Sequence, residues 1–99
     1  GSLAAHHPFA GESAYQSAMH GVMGLAISQD AELRSRGIRV AVVSPGLVRT
    51  ELTERAFGAA ALRGALAPAA VAQSITYLIQ VIRSGGYVPE IFQVPGNWP

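Results

Sequence analysis

The sequence predicts an α/β fold in which one long helix precedes a short parallel sheet. Apolar residues recur at helical spacing over about residues 14–36 and again over 68–83, whereas residues 38–43 and 90–94 are rich in β-branched or aromatic side chains. The predicted order is helix, strand, short helix, helix, strand. Because a strand, a helical crossover and a second strand form one βαβ unit, we expect the two strands to be parallel, with a right-handed connection.

Composition limits both the size of the core and the choice of partners. The chain has 99 residues, of which 49% are apolar and 13% charged, and its net charge is +1. A single small domain cannot easily bury so large an apolar share, so self-association or a further segment is expected to cover the excess. The charge predicts no nucleic-acid binding. No apolar run approaches 20 residues, and the chain lacks cysteine; we expect no membrane span, no disulfide and a cytoplasmic location.

The long helix carries an apolar stripe and two internal glycines. Ser13 is a plausible N-cap, and Gly37 stands where a helix often ends on a left-handed residue. Gly21 and Gly24 each cost about 1 kcal/mol relative to alanine, which suggests a close helix crossing. The predicted stripe consists of Tyr15, Ala18, Met19, Val22, Leu25, Ala26 and Leu33.

The remaining elements follow from local signals. Residues 38–43 read as a strand buried on both faces, ended by the Ser-Pro-Gly of residues 44–46. A short helix is predicted over 51–57, followed by an alanine-rich stretch without an assignment. Pro68 opens a helix that runs to residue 83 and stops at the two glycines after it, and 90–94 form the second strand.

Three groups of residues carry the chemistry. Tyr15 and Met19 stand at i and i+4 of the long helix and therefore share a face. Ser2 precedes Tyr15 by thirteen residues, and a Pro-Gly turn with a threonine four residues later follows the first strand, at residues 45–50. Gly1-Ser2 is also the pair that removal of an affinity tag leaves behind, so whether Ser2 is native stays open.

In this order, the motifs resemble the second half of a short-chain dehydrogenase/reductase. The resemblance implies the C-terminal part of a Rossmann-type, doubly wound parallel sheet, with residues 1–99 forming one partial domain that lacks the N-terminal dinucleotide-binding half. It also implies an NAD(P)-dependent oxidoreductase that interconverts alcohols and carbonyls. Ser2 would then bind the substrate carbonyl and Tyr15 would transfer the proton. The nicotinamide of NAD or NADP would be held by Pro45, Gly46, Val48 and Thr50.

Two departures from the family pattern predict little activity. Met19 occupies the position of the family's lysine, and no lysine elsewhere in the chain could replace it. A thioether cannot stabilise a phenolate, whose ordinary pKa is about 10, as an ammonium does. The glycine-rich turn that binds the pyrophosphate in this family does not follow any predicted strand. We therefore expect NAD(P) to bind weakly, if at all, to the chain alone.

Two other functions compete with catalysis. In the family, the helix equivalent to residues 14–36 packs against its copy in a neighbouring subunit, so the chain could be a homo-oligomerisation module. It could also be one piece of a split or proteolysed dehydrogenase whose missing N-terminal half is a separate partner. The substrate is not predicted, although the alanine-rich stretch 51–67 suggests an apolar lining of small residues.

The remaining ionisable residues are interpreted as structural. Adjacent His6 and His7 do not predict a metal site, and His20, one position beyond Met19, points about 100° away and is a poor substitute base. We expect no bound metal. The arginines at 34, 36 and 39 surround a helix C-terminus and are interpreted as a solvated cationic end rather than as an anion site.

Overall fold

A two-stranded parallel sheet organises the fold. The computed structural model describes residues 1–2 and 10–95. Its elements are α1 (Ser13–Leu33), β1 (Val42–Pro45), α2 (Glu51–Phe57), α3 (Pro68–Arg83) and β2 (Ile91–Val94), with short 3₁₀ turns at Arg34–Arg36 and Ala59–Leu62. The strands pair in parallel from Val42 opposite Ile91 to Pro45 opposite Val94. This confirms the predicted α/β class and the parallel pairing of the two strands.

Helix α1 lies against the sheet through one narrow stripe. Met23 and Ala26 are buried together with Val42 of β1, and Met19 packs against this cluster. The broader predicted stripe is wrong in part, because Tyr15, Val22 and Leu25 are exposed. Two strands give the helix a surface only wide enough for one row of side chains, so the rest of its apolar residues are left uncovered.

The ends of α1 differ from the prediction in detail. Ser13 is the first helical residue rather than the N-cap, since the Glu12 carbonyl oxygen already accepts a hydrogen bond from the Gln16 N–H at 2.8 Å. The α-helix ends at Leu33, and a 3₁₀ turn tightens the last residues before Gly37. Gly37 has φ 76°, which confirms the predicted left-handed end.

Strand β1 begins four residues later than predicted. The amides before it are used by α1: the Ile38 N–H bonds to the Leu33 carbonyl oxygen at 3.2 Å, and the Val40 N–H bonds to the Asp30 carboxylate at 2.8 Å. Pairing with the second strand starts only at Val42. Residues 38–41 therefore connect the helix to the sheet, and the expectation of a strand over 38–43 is wrong in its bounds.

Helices α2 and α3 fill the connection between the strands. Both have the predicted bounds, and Pro68 occupies the first turn of α3. Only Leu78 of α3 is fully buried, whereas Ile75 and Ile79 of its apolar stripe are exposed. In the described part of the chain no helix is long and apolar enough to cross a membrane.

Candidate active site

A cavity of about 710 Å³ lies at the carboxyl end of β1. Its described lining comes from the first two residues, from the start of α1, and from the chain that runs from the end of β1 into α2. Ligands of parallel α/β sheets bind beyond the carboxyl ends of the strands, because the connecting loops gather there. The cavity is therefore where this fold is expected to bind a ligand.

Ser2 and Tyr15 both line this cavity. Ser2 is brought there by Gly1, which lies directly on β1. A Cβ atom on Gly1 would stand 2.5 Å from Val42 Cγ1 and 2.8 Å from Ser44 Oγ, so only glycine allows this approach. Tyr15 projects from the first turn of α1 and is 43% exposed. The structure thus collects the predicted serine and tyrosine in one space.

The chain after β1 forms the opposite wall of the cavity, and Pro45, Gly46, Leu47 and Val48 all line it. Its path is fixed by a short parallel bridge between Val48 and Leu66. The Leu66 N–H donates to the Leu47 carbonyl oxygen at 2.8 Å. The Leu66 carbonyl oxygen accepts a hydrogen bond from the Arg49 N–H, also at 2.8 Å.

The bridge leaves the peptide groups of Val48 for another partner. In such a bridge the N–H and C=O of Val48 itself point away from Leu66. They offer one donor and one acceptor, which is the complement of a carboxamide. The amide of a nicotinamide is one group with this pattern, so the predicted cofactor contact of Val48 stays a prediction.

Thr50 has a different position from the other predicted cofactor residues. It is not among the residues described as lining the cavity. Its Oγ1 accepts a hydrogen bond from the Thr53 N–H at 3.2 Å and lies 2.9 Å from Thr53 Oγ1, so it caps the N-terminus of α2. Thr53 lines the cavity instead. The sequence contained the signal for this cap, a threonine directly before a helix, but it was interpreted only as a ligand contact.

Met19 stands one helical turn after Tyr15, but only Tyr15 is among the described residues of the cavity wall. Helix α1 runs antiparallel to β1: Tyr15 lies beside the cavity at the end of the strand, and Asp30 contacts Val40 before its start. Met19 consequently lies over the sheet and packs on its core cluster, not in the described cavity wall. That the two side chains face the same space stays a prediction from their spacing.

The histidines do not contribute to the described site. His20 Nδ1 donates a hydrogen bond to the Gln16 carbonyl oxygen at 2.8 Å, and His20 is not among the described cavity residues. His6 and His7 lie outside the described residues. Within residues 1–2 and 10–95, no group of three or more histidine, aspartate or glutamate side chains could hold a metal ion.

The side chains that line the cavity are larger than predicted. The alanine-rich stretch suggested small residues, but Ala56 is its only alanine in the described wall. The wall is built mainly from larger side chains of the turn and of α2, including Leu47, Leu52 and Phe57. The other alanines of this stretch fall largely in the 3₁₀ turn Ala59–Leu62, beyond the end of α2.

A buried carboxylate that the sequence analysis missed anchors the far end of α1. Asp30 is fully buried, and its carboxylate accepts hydrogen bonds from Arg34, from the Val40 N–H and from Arg39, whose Nε lies 2.8 Å from Oδ1. The hydrogen bonds from Arg39, Val40 and Arg34 hold the pKa of the Asp30 carboxyl well below its usual range, against the opposing effect of burial.

Asp30 connects three segments that lie apart in the sequence. Arg39 also donates to the Val88 carbonyl oxygen at 3.0 Å, and Arg34 reaches Glu90 at 3.3 Å. The interpretation of Arg34 and Arg39 as a solvated helix end is therefore wrong, since both pair with a buried anion. The spacing of Asp30 and Arg34, four residues apart on one helix, was the available signal.

Comparisons with known proteins agree with this architecture. Residues 1–60 match the family model described as short chain dehydrogenase. The chain belongs to the short-chain dehydrogenase family, and thus to a family of oxidoreductases. Carbonyl reductase family member 4 from Xenopus laevis is 33% identical over 93 residues, which cover 89% of this chain and 39% of that protein. The same-named protein from Danio rerio is 37% identical over 76 residues, covering 72% of this chain and 32% of that protein.

The structural comparison gives the same result. A solved short chain dehydrogenase/reductase family protein superimposes with a TM-score of 0.80 at 33% identity, over 95% of this chain and 41% of that chain. The chain thus spans about two fifths of the length of such relatives. Its fold is accordingly part of a Rossmann-type α/β domain, as the resemblance implied.

Proposed function

We propose that this chain supplies the substrate-side and nicotinamide-side residues for an NAD(P)-dependent interconversion of alcohols and carbonyls. One observation carries the proposal: Ser2, Tyr15 and the turn from Pro45 to Val48 line a single cavity at the carboxyl end of β1. A cytoplasmic location stays a prediction from the sequence.

The residues of the cavity divide the proposed chemistry between them. The Ser2 hydroxyl donates a hydrogen bond to the substrate carbonyl oxygen, and the Tyr15 hydroxyl gives that oxygen a proton during reduction and takes it back during oxidation. When bound, the nicotinamide supplies the hydride exchanged with the substrate carbon. The Val48 peptide groups, beside Pro45 and Gly46, would hold its carboxamide. Thr50 would contribute indirectly, by capping the N-terminus of α2 and so fixing the helix that forms part of the wall.

Two features make this activity weak in the chain alone. Met19 brings no cation to the helix turn that carries Tyr15, because a thioether is uncharged. The chain also lacks the glycine-rich turn that binds a pyrophosphate after a strand. The binding of adenosine and pyrophosphate therefore depends on residues that this sequence does not contain.

Reduced nicotinamide mononucleotide tests the proposal because it carries the nicotinamide without adenosine. We expect it to bind in the millimolar range and to shift the amide NMR signals of residues 45–48. The Met19→Lys variant is expected to reduce an aryl ketone with it at least about tenfold faster than the natural chain, within the usual range for assisted proton transfer. Met19→Leu is the control, since it keeps the apolar packing but adds no cation.

Two results would contradict these expectations, the first concerning the position of the nicotinamide and the second the weak activity of the chain alone. One is binding of the mononucleotide without any change at residues 45–48, which would place the nicotinamide elsewhere. The other is turnover of ketones by the natural chain with NADPH at rates typical of enzymes, which would show that neither Met19 nor the missing turn matters.

A second candidate function is association through α1. Val22 and Leu25 are 42% and 59% exposed on this helix. Cβ atoms placed on Gly21 and Gly24 would meet nothing within 4 Å, so the predicted close crossing is not formed within the described chain. A second copy could supply it. Sedimentation that shows a stable, compact monomer would exclude this function.

The third alternative is that the chain is one piece of a split dehydrogenase. The sequence covers 39% of the Xenopus laevis relative, which leaves room for a separate nucleotide-binding half. Mixing the chain with such a half should restore NAD(P) binding if the two pieces form one site. Association of α1 alone would give an oligomer without restoring cofactor binding.

A further inference from the structure

Helix α2 presents one of its faces to the candidate cavity. Four of its seven residues are described in the cavity wall: Leu52, Thr53, Ala56 and Phe57. They form two pairs at i and i+4, so they lie side by side on the helix surface. The three charged residues of α2 are not in the described wall, and two of them, Glu51 and Arg55, form an ion pair at 3.8 Å. The helix therefore turns its apolar side toward the cavity and its charged side away from it.

The apolar side of α2 is not covered by the described chain. Leu52 is 74% exposed and Phe57 is 56% exposed, and no residue of the helix is buried. Within the described residues, the main packing of α2 is with the 3₁₀ turn that follows it in the sequence. Apolar side chains that line a concave surface without packing on other parts of the protein are typical of a binding site.

The position of this surface favours a small molecule as its occupant. Ser2 and Tyr15 lie in the same wall, and the cavity volume of about 710 Å³ is within the usual range for sites that bind small molecules. Leu47 and Val48, in the turn after β1, extend the apolar surface from α2 toward the sheet. A ligand whose carbonyl group reaches Ser2 and Tyr15 therefore has room for a large apolar part beside α2.

We propose that α2 makes the cavity selective for uncharged carbonyl compounds with a large apolar group, such as bicyclic aryl ketones. The choice of a carbonyl compound rests on the proposed function, whereas the preference for large size and low polarity rests on α2. Leu52 and Phe57 are the specificity-determining residues, and they contact the ring that lies farthest from the carbonyl group. Binding of the ligand shields both side chains from water.

The expected preference follows from the apolar surface of the ligand that becomes buried. Burial of one methylene-sized group raises affinity about fourfold, so full burial of the four carbon atoms of a second aromatic ring would raise it more than about 100-fold. Because Leu52 and Phe57 lie in an exposed part of the wall, we expect 2-acetylnaphthalene to bind only roughly tenfold more tightly than acetophenone. Acetylpyrazine has the shape of acetophenone but two ring nitrogens that would lose hydrogen bonds to water, so it should bind roughly fivefold more weakly than acetophenone.

Ligand-observed NMR without cofactor measures these affinities, with a dissociation constant of about 1 mM expected for 2-acetylnaphthalene. Phe57→Ala and Leu52→Ala should each reduce the tenfold preference to roughly threefold or less. Both side chains are exposed, so we expect these variants to fold. Tyr77→Ala is the matched control, since the Tyr77 ring on α3 is similarly exposed but is not in the described wall. The three ligands are uncharged, so the Glu12 carboxylate in the wall does not decide their order.

The inference is overturned if the three ketones bind equally, if none of them binds, or if the preference survives in both Phe57→Ala and Leu52→Ala. It is also overturned if Phe57→Ala dissociates an oligomer in sedimentation without changing the preference, because α2 would then face a second copy of the chain. Should either variant fail to fold, the natural chain decides: 2-acetylnaphthalene must shift the amide NMR signals of residues 52–57, and unchanged signals overturn the proposal. No cofactor or turnover is involved, so this outcome is distinguishable from failure of the proposed oxidoreductase function, which the mononucleotide experiment measures.

Discussion

Ser44 in the middle of β1 gives a prediction whose sign follows from the structure. Its side chain is fully buried, and Oγ has no hydrogen-bond partner among the described residues. A buried hydroxyl without a partner costs about 1–3 kcal/mol relative to its hydration in water. Removing it in Ser44→Ala should therefore stabilise the chain, which is the reverse of the usual effect of a mutation in a core.

The magnitude combines a gain and a loss. Ser44→Ala recovers the desolvation cost of the hydroxyl but leaves a void the size of one oxygen atom beside Gly1. Each contact that this oxygen made with its neighbours is worth a few tenths of a kcal/mol at most. The net gain in the free energy of unfolding should be about 1 kcal/mol. For a chain of this size that corresponds to a rise in Tm of roughly 4–8 °C.

Urea and thermal unfolding, followed by circular dichroism, measure this change. The dependence of the unfolding free energy on urea should keep its slope, since the variant exposes the same surface on unfolding. Ser35→Ala is the matched control: Ser35 is exposed, so its removal should change stability by less than about 0.5 kcal/mol. A loss of stability in Ser44→Ala would show that Oγ has a partner and would refute the reasoning.

Two further predictions concern the ends and the outer face of α1. The folded pKa of Asp30 is lowered, so its contribution is present above its unfolded value of about 4 and is lost as the pH falls through and below it. When the pH is lowered below about 5, the urea concentration at the unfolding midpoint should therefore fall in the natural chain. In Asp30→Asn this midpoint should depend less on pH. An equal fall in both proteins would contradict the prediction. Leu25→Glu should dissociate an oligomer formed through α1 in sedimentation, whereas Gln73→Glu on exposed α3 should not.

Local sequence signals predicted the elements whose ends depend on the chain itself. Helices α2 and α3 have the predicted bounds because a capping threonine and a helix-opening proline mark their starts, and glycines follow their ends. Strand β1 was misplaced because its length depends on its partner: β2 offers only four residues, and Asp30 holds the Val40 amide. Hydrogen bonds between distant residues cannot be inferred from local periodicity.

The candidate site, too, was predicted from the sequence only in part. Ser2, Tyr15 and the turn after β1 were proposed from motif order, and the structure collects them around one cavity. The spacing of Tyr15 and Met19 predicts one shared face, and the structure adds that Met19 packs against the core cluster while Tyr15 lines the cavity. Glu12 was not singled out, since a glutamate before a helix normally indicates only a solvated end.

The sequence by itself determined the family and the parallel α/β class, and it shows that the chain contains no lysine. These properties depend on the residue types and on the order of motifs along the chain. The tertiary structure alone decided that Asp30 is a buried anchor and that Glu12 lines the cavity. The physical reason is that burial and pairing of a polar group depend on which distant segments surround it.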